Sequence, residues 1–200
     1  MKTDISFPEA FSNARKHLKT ITEHRNLVMK YCFACGLYRQ GLLHDLSKYS
    51  PAEFYAGVLY YQGNRSPNDI DRRENGYSAA WMHHKGRNKH HYEYWTDVPP
   101  GGHEYVSMPM PTRYLVESVM DRIAASKVYR GKDYADGDAL AYLHREHGEE
   151  RLHPDTYRKM LFLLTLLRDR GEETLFRFIR EVVLREVPFE EWEEKENANQ

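Results

Sequence analysis

Residues 40–54 read QGLLHDLSKYSPAEF. The first part predicts a short helix over 38–47 that carries the adjacent pair His44 and Asp45. The second part restarts the chain, because Ser50, Pro51 and Glu53 read as N-cap, N1 and N3 of a helix to about Tyr61. Outward from this stretch the pattern stays helical. Helices are expected over 8–20, beginning at Pro8, and over 22–35, from a Thr22 cap to a closing Gly36. Leu27, Val28, Tyr31 and Cys35 give the second of these an apolar stripe. Further helices are expected over 77–85, over 112–130 up to Gly131, over 137–147, and over 154–169 and 172–187 on either side of Gly171. The polar stretch 63–76 reads as a loop. Residues 96–111, with four prolines and Gly101-Gly102, read as an irregular connection. No segment alternates with period two. The expectation is an all-α, single-domain helical bundle of seven to nine helices spanning 1–190, followed by a polar tail over 191–200 that frays.

Bulk composition narrows the function. A chain of 200 residues suits one domain,. Charged residues at 30% and hydrophobic ones at 40% mark a globular chain,. A net charge of -1 argues against nucleic acid or membrane as partner, since both usually demand a basic patch,. No apolar run reaches the roughly 18 residues of a membrane span, and the N-terminus lacks the apolar stretch of a secretory signal. A cytoplasmic location is the expectation, and a homodimer is compatible with it. Cys32 and Cys35 form a C-x-x-C, read as two small core residues because no thioredoxin-like βαβ pattern surrounds them.

Histidine is where the composition departs from the ordinary: eleven in all, four of them within 83–91. Imidazole and carboxylate together suit iron, manganese, zinc, nickel or cobalt. His24, His44, Asp45, the histidines of 83–91 and Asp121 supply both types. Asp121 lies in VESVMDRIAAS, among Val119, Met120, Ile123 and Ala124, and a carboxylate buried there needs a partner. Tyr77, Trp81 and His84 share a helical face, which favours His84 over His83. His90 and His91 are not separable at this level. His17, His103, His144, His147 and His153 read as surface or cap residues.

The order His24, His44-Asp45, one of His83 or His84, one of His90 or His91, then Asp121 resembles the HD-domain superfamily of metal-dependent phosphohydrolases. LLHDLSK (42–48) looks like its HDxxK motif, and MDRIAAS (120–126) like its closing aspartate helix. HDLSKYSPAEF, AWMHHKGRNKHHYEYW and GKDYADGDALAYL together resemble, over about residues 15–145, a bacterial family of uncharacterised proteins. The resemblance implies that His24, His44, Asp45 and Asp121 hold one divalent transition-metal ion. Two further histidines, drawn from the candidates His84, His90 and His91 with His83 still open, match proteins that hold a second, with Asp45 bridging. The later histidines are closer together here than in many two-metal relatives, so one ion or two both stand.

The implied activity is hydrolysis of a small phosphate ester or nucleotide by a metal-activated water, with Asp45 and Lys48 in catalytic roles. Arg87, Arg122, Lys127 and Arg130 are candidate cations for the phosphorylated substrate. Two other readings share the residues: a di-iron oxygenase on the same scaffold, and a non-catalytic metal-binding protein.

Overall fold

The first helix, α1, runs unbroken from Phe7 to Cys35 in the computed structural model, which describes residues 5–198. Ser6 caps it, Pro8 sits in its first turn, and Gly36 closes it at φ 88°,. The break expected at Thr22 is absent. The Thr20 hydroxyl donates to the Lys16 carbonyl at 3.0 Å, and Thr22 reaches the Tyr49 hydroxyl at 3.1 Å. Hydroxyl residues satisfied in these ways are tolerated inside a helix. The buried face of α1 carries His17, Ile21, His24, Val28, Tyr31, Cys32 and Cys35 at spacings of three and four,. One rod thus presents two imidazoles and part of the core.

The helix expected over 38–47 is shorter. α2 spans Tyr38–Leu43 and stops before the His44–Asp45 pair, which a 3-10 turn, Leu46–Tyr49, follows. α3 (Pro51–Leu59) begins as expected. Residues 63–76 are not all loop, because α4 occupies Pro67–Asn75. Its start, Ser66-Pro67, repeats the Ser50-Pro51 signature, and the surrounding polarity masked it. α5 spans Ala79–Lys85, with the Ser78 hydroxyl accepting from the Trp81 N–H. The irregular connection holds a minimal antiparallel ribbon, β1 (Thr96–Asp97) against β2 (Val106–Ser107).

α6 (Thr112–Arg130) is the central helix, buried on most sides. α7 (Asp138–Arg145) and α8 (Gly148–Arg151) lead into α9, Pro154–Glu181. Gly171 breaks α9 at φ 77°, ψ 176°, where the sequence separates two helices. The apolar core joins α1, α6, α7 and α9, with Val28, Val119, Ile123, Leu163 and Leu167 inaccessible. Residues 191–198 are not a frayed tail. They include α10, Trp192–Ala198, and Trp192 is buried against Phe162, Phe178 and Phe189. The domain therefore extends past residue 190. The expected all-α class holds, with ten α-helices among the described residues. No described helix is long and apolar enough to cross a membrane.

The Gly171 conformation is one that side-chain-bearing residues strongly avoid. Gly171→Ala is expected to cost about 1–3 kcal/mol, read as a lower urea midpoint. An unchanged midpoint would show that the bend in α9 does not need glycine.

Candidate metal centre

The site is built where α2 stops. His44 leaves the helix at φ -52°, ψ 127°, and Asp45 turns left-handed at φ 54°. Aspartate tolerates that region better than most residues. The pair is therefore not on consecutive helical positions, about 100° apart. The kink lets both side chains enter one buried space, where each residue is 1% exposed. The Arg25 guanidinium donates to the Leu42 carbonyl at 2.6 Å, tying the end of α2 to α1 just before the turn.

Two donor sets meet at Asp45. In the first, Oδ2 of Asp45 lies 3.4 Å from His24 Nε2 and 3.3 Å from His44 Nε2. Asp121 Oδ1 completes it, 2.9 Å from His24 Nε2 and 3.5 Å from His44 Nε2. In the second, Oδ1 of Asp45 lies 3.4 Å from His84 Nε2 and 3.5 Å from His90 Nε2. His91 Nε2 joins at 2.8 Å from His84 Nε2. Each set of four can converge on one ion. Donor atoms about 2.0–2.2 Å from a common transition metal stand roughly 3.0–3.5 Å apart, so the spacings fit.

Two further carboxylates hold the imidazoles. Glu117 Oε1 accepts from Nδ1 of His44 at 2.9 Å and lies 3.1 Å from Nδ1 of His90. Glu53 Oε2 lies 2.8 Å from Nδ1 of His84, and its other oxygen lies 2.6 Å from Nδ1 of His83. With Nδ1–H donated to carboxylates, Nε2 of His44, His84 and His90 is the nitrogen left to ligate an ion, and all three face Asp45. His44, His90 and Glu117 are close enough to form a third donor group. Because the Nε2 atoms already point into the two sets, Glu117 is a positioning carboxylate. Asn88 braces the second set, donating to the Ser47 hydroxyl and the His84 carbonyl, each at 2.8 Å.

Nitrogens that face a buried carboxylate in this way are compensated by a metal ion or by protons. Neither oxygen of Asp45 accepts a hydrogen bond, and His90 Nε2 is likewise buried without a partner. Lys48 Nζ lies 2.6 Å from Oδ2 of Asp45, as an ion contact. Burial pushes the Asp45 carboxyl upward, but the charges of His44, Lys48 and His84 hold it well below the usual range. Burial pushes His44 downward, and Asp45, Asp121 and Glu117 overcome it, leaving His44 well above an ordinary histidine. Burial, with His90 and His84 beside it, drives His91 well below, so His91 offers a neutral nitrogen. In the absence of metal, protons take the place of cations here.

The residues named from sequence separate into two groups. His24, His44, Asp45, Lys48, His84, His90, His91 and Asp121 are brought together. Arg87, Arg122, Lys127 and Arg130 are not. Arg87 is exposed and donates to the His83 carbonyl at 3.2 Å. Arg122 is buried in an ion pair with Glu146. Lys127 pairs with Glu172 at 2.6 Å, and Arg130 lies 3.3 Å from Asp138. Cys32 and Cys35 are free thiols buried in the core, as expected, and burial pushes the Cys35 thiol up to about 12.

Glu53, Glu117 and Asn88 were missed. Glu117 had a visible signal, a second carboxylate four residues before Asp121 on the same otherwise apolar face. His17, expected at the surface, is buried beside Phe54 and Tyr61. It lines a pocket that also touches Lys48 and Glu53. His153 does act as a cap, its ring accepting from the Asp155 N–H.

An all-helical chain with buried, carboxylate-braced histidine sets belongs to the class of proteins able to hold a metal ion. The chain belongs to the family DUF5662, a family of unknown function whose model matches residues 13–165. No curated protein and no solved structure matches it. Every donor of both sets falls within the matched span.

Two outcomes follow. Glu117→Ala frees His44 and His90 at once and is expected to weaken metal affinity about 10–100-fold in a competitive chelator titration; wild-type affinity would remove Glu117 from this role. Burial, helped by Lys48, lowers His17 from 6.5 to about 4. The unfolded chain then binds a proton that the folded chain refuses, so stability is full above 6.5 and is lost as pH falls towards 4,. Between pH 7 and pH 5 the wild type is expected to lose about 2 kcal/mol more than His17→Asn in urea denaturation. Parallel losses would mean that His17 is not held neutral.

Proposed function

We propose that this protein is a metal-dependent phosphohydrolase of the HD type, holding two divalent transition-metal ions and acting on a small phosphate ester. The reading rests most on one observation. The two oxygens of a single buried carboxylate, Asp45, face two separate imidazole-rich donor sets. No thiolate is among the donors, which suits zinc, manganese, iron, nickel or cobalt. Such ions would supply a hydroxide nucleophile near neutral pH and charge neutralisation at phosphorus.

The chain's own groups then have defined tasks. Asp45 would bridge the sets through its two oxygens. Glu117 and Glu53 fix the tautomers of His44, His90 and His84 and keep Nε2 directed inward. Lys48 faces both Asp45 and the pocket. Burial opposes its charge, but Asp45 and Asp121 hold its pKa above that of an ordinary lysine. It therefore serves as a fixed cation that stabilises charge developing on phosphoryl oxygens, and not as a proton acceptor.

Purified chain loaded in turn with each metal is assayed against a panel of phosphate esters, with metal content measured on the same samples. His24→Ala or Asp121→Ala is expected to remove one ion, His84→Ala or His91→Ala the other, and Asp45→Ala both. Lys48→Ala is expected to lower kcat about 100–1,000-fold, as for loss of one charge-stabilising group, at unchanged metal content. Retention of both ions by Asp45→Ala would sink the bridging role. Oxygen consumption by an iron-loaded form that turns over no ester would favour an oxygenase. Full metal loading with neither activity would leave a binding protein.

A further inference from the structure

Beside the metal centre lies a pocket of about 60 Å³ that the donor sets do not use. His17 of α1 forms part of its floor, seated directly on α3. A Cβ at Gly57 would fall 2.0 Å from His17 Nε2, so only glycine admits the ring there. His17 is 7% exposed, and its Nδ1 is buried with no hydrogen-bond partner. Lys48 lines the pocket on the side of Asp45, and Tyr129 of α6 lines it too.

A second cation lines the pocket. Arg65, in the connection between α3 and α4, lines it and has no ion-pair or hydrogen-bond partner among the described residues. The first turn of α4 also faces it, through Ser66, Pro67 and Asn68. A helix N-terminus favours an anion by its dipole and unpaired N–H groups. The acidic groups nearby are engaged. Glu53 is held by His83 and His84, and Asp69 pairs with Arg72 at 2.8 Å. The volume is far below the roughly 300–1,000 Å³ of drug-sized sites and suits a single oxoacid group rather than a ring system.

We propose that this pocket is an anion subsite of the same centre, seating a carboxylate or second phosphate of the substrate while Lys48 lies between it and Asp45. Arg65 supplies charge, the first turn of α4 supplies the backbone N–H of Asn68, since Pro67 has none and that of Asp69 is bonded to the Ser66 carbonyl, and neutral His17 supplies a ring N–H. The substrate class is then a small phosphate ester carrying a second acidic group, and not a nucleotide with its base in this pocket. The existence of the subsite stands on the pocket alone. Its use by a phosphate ester rests on the phosphohydrolase reading.

Two measurements separate these. Inorganic phosphate is titrated into the metal-stripped full chain while the His17 imidazole is followed by NMR. A saturable shift is expected, weakened about tenfold or more by Arg65→Ala and restored by Arg65→Lys, as for loss of one charged hydrogen bond. No saturable shift, or one indifferent to Arg65, overturns the subsite. In the metal-loaded chain, kcat/KM is compared for phosphoglycolate and ethyl phosphate. The wild type is expected to prefer the diacid about tenfold through KM, and Arg65→Ala to erase that preference. Equal values in the wild type overturn the second-anion assignment. Phosphate binding at His17 with no ester turned over would instead refute the hydrolase reading and leave the subsite standing.

Discussion

The constraint on which the site depends is the buried carboxylate of Asp45. A charge removed from water is tolerated only when it is compensated at close range. Here the compensation comes from every side: His24 and His44 on one oxygen, His84 and His90 on the other, and Lys48 at the edge. The left-handed turn at Asp45 is what directs it there. A helical Asp45 would face a different way from His44, and the two donor sets would no longer share a residue.

Glu117 extends the same logic into the fold. It sits on α6, the central helix, one turn before Asp121. It grips one histidine from each set. α1 contributes His24 from the same face that buries Val28 and Cys32. Two donors of the first set, His24 and Asp121, are therefore anchored on long helices whose apolar faces form the core, so their positions are set by core packing. Separating α1 from α6 would expose both Val28 and the His24–Asp121 contact.

Much of this was legible in the sequence because it depends on residue type and local signals. The helical class, the break at Gly171 and the donors His24, His44, Asp45, His84 and Asp121 are of that kind. What escaped notice depended on tertiary context. Thr22 looks like a cap, yet it sits inside α1 because Tyr49 satisfies its hydroxyl from another element. Glu53 looks like the closing residue of a capping box, but its carboxylate turns to His83 and His84 instead. Ser66-Pro67 starts a helix whose polarity reads as loop. Trp192 anchors what reads as a fraying tail, because a single large ring can dock where its acidic neighbours cannot. Arg122, Lys127 and Arg130 looked free because their partners Glu146, Glu172 and Asp138 are not local to them.

The two donor sets differ in how they are supported, and the chain dictates the difference. His24 and Asp121 lie in the middle of helices of 29 and 19 residues, where backbone hydrogen bonds and core contacts fix each Cα. His84 is near the end of the seven-residue α5, and His90 and His91 lie beyond it in the turn before a short 3-10 segment. Such irregular backbone gains its order from side-chain hydrogen bonds rather than from a repeating ladder. Asn88 performs that service, bonding the Ser47 hydroxyl beside Asp45 and the His84 carbonyl. The second set is thereby tied to the chain segment that carries Asp45, the carboxylate common to both sets. Its order follows from that of the His44–Asp45 turn, whereas His24 and Asp121 of the first set inherit theirs from the core.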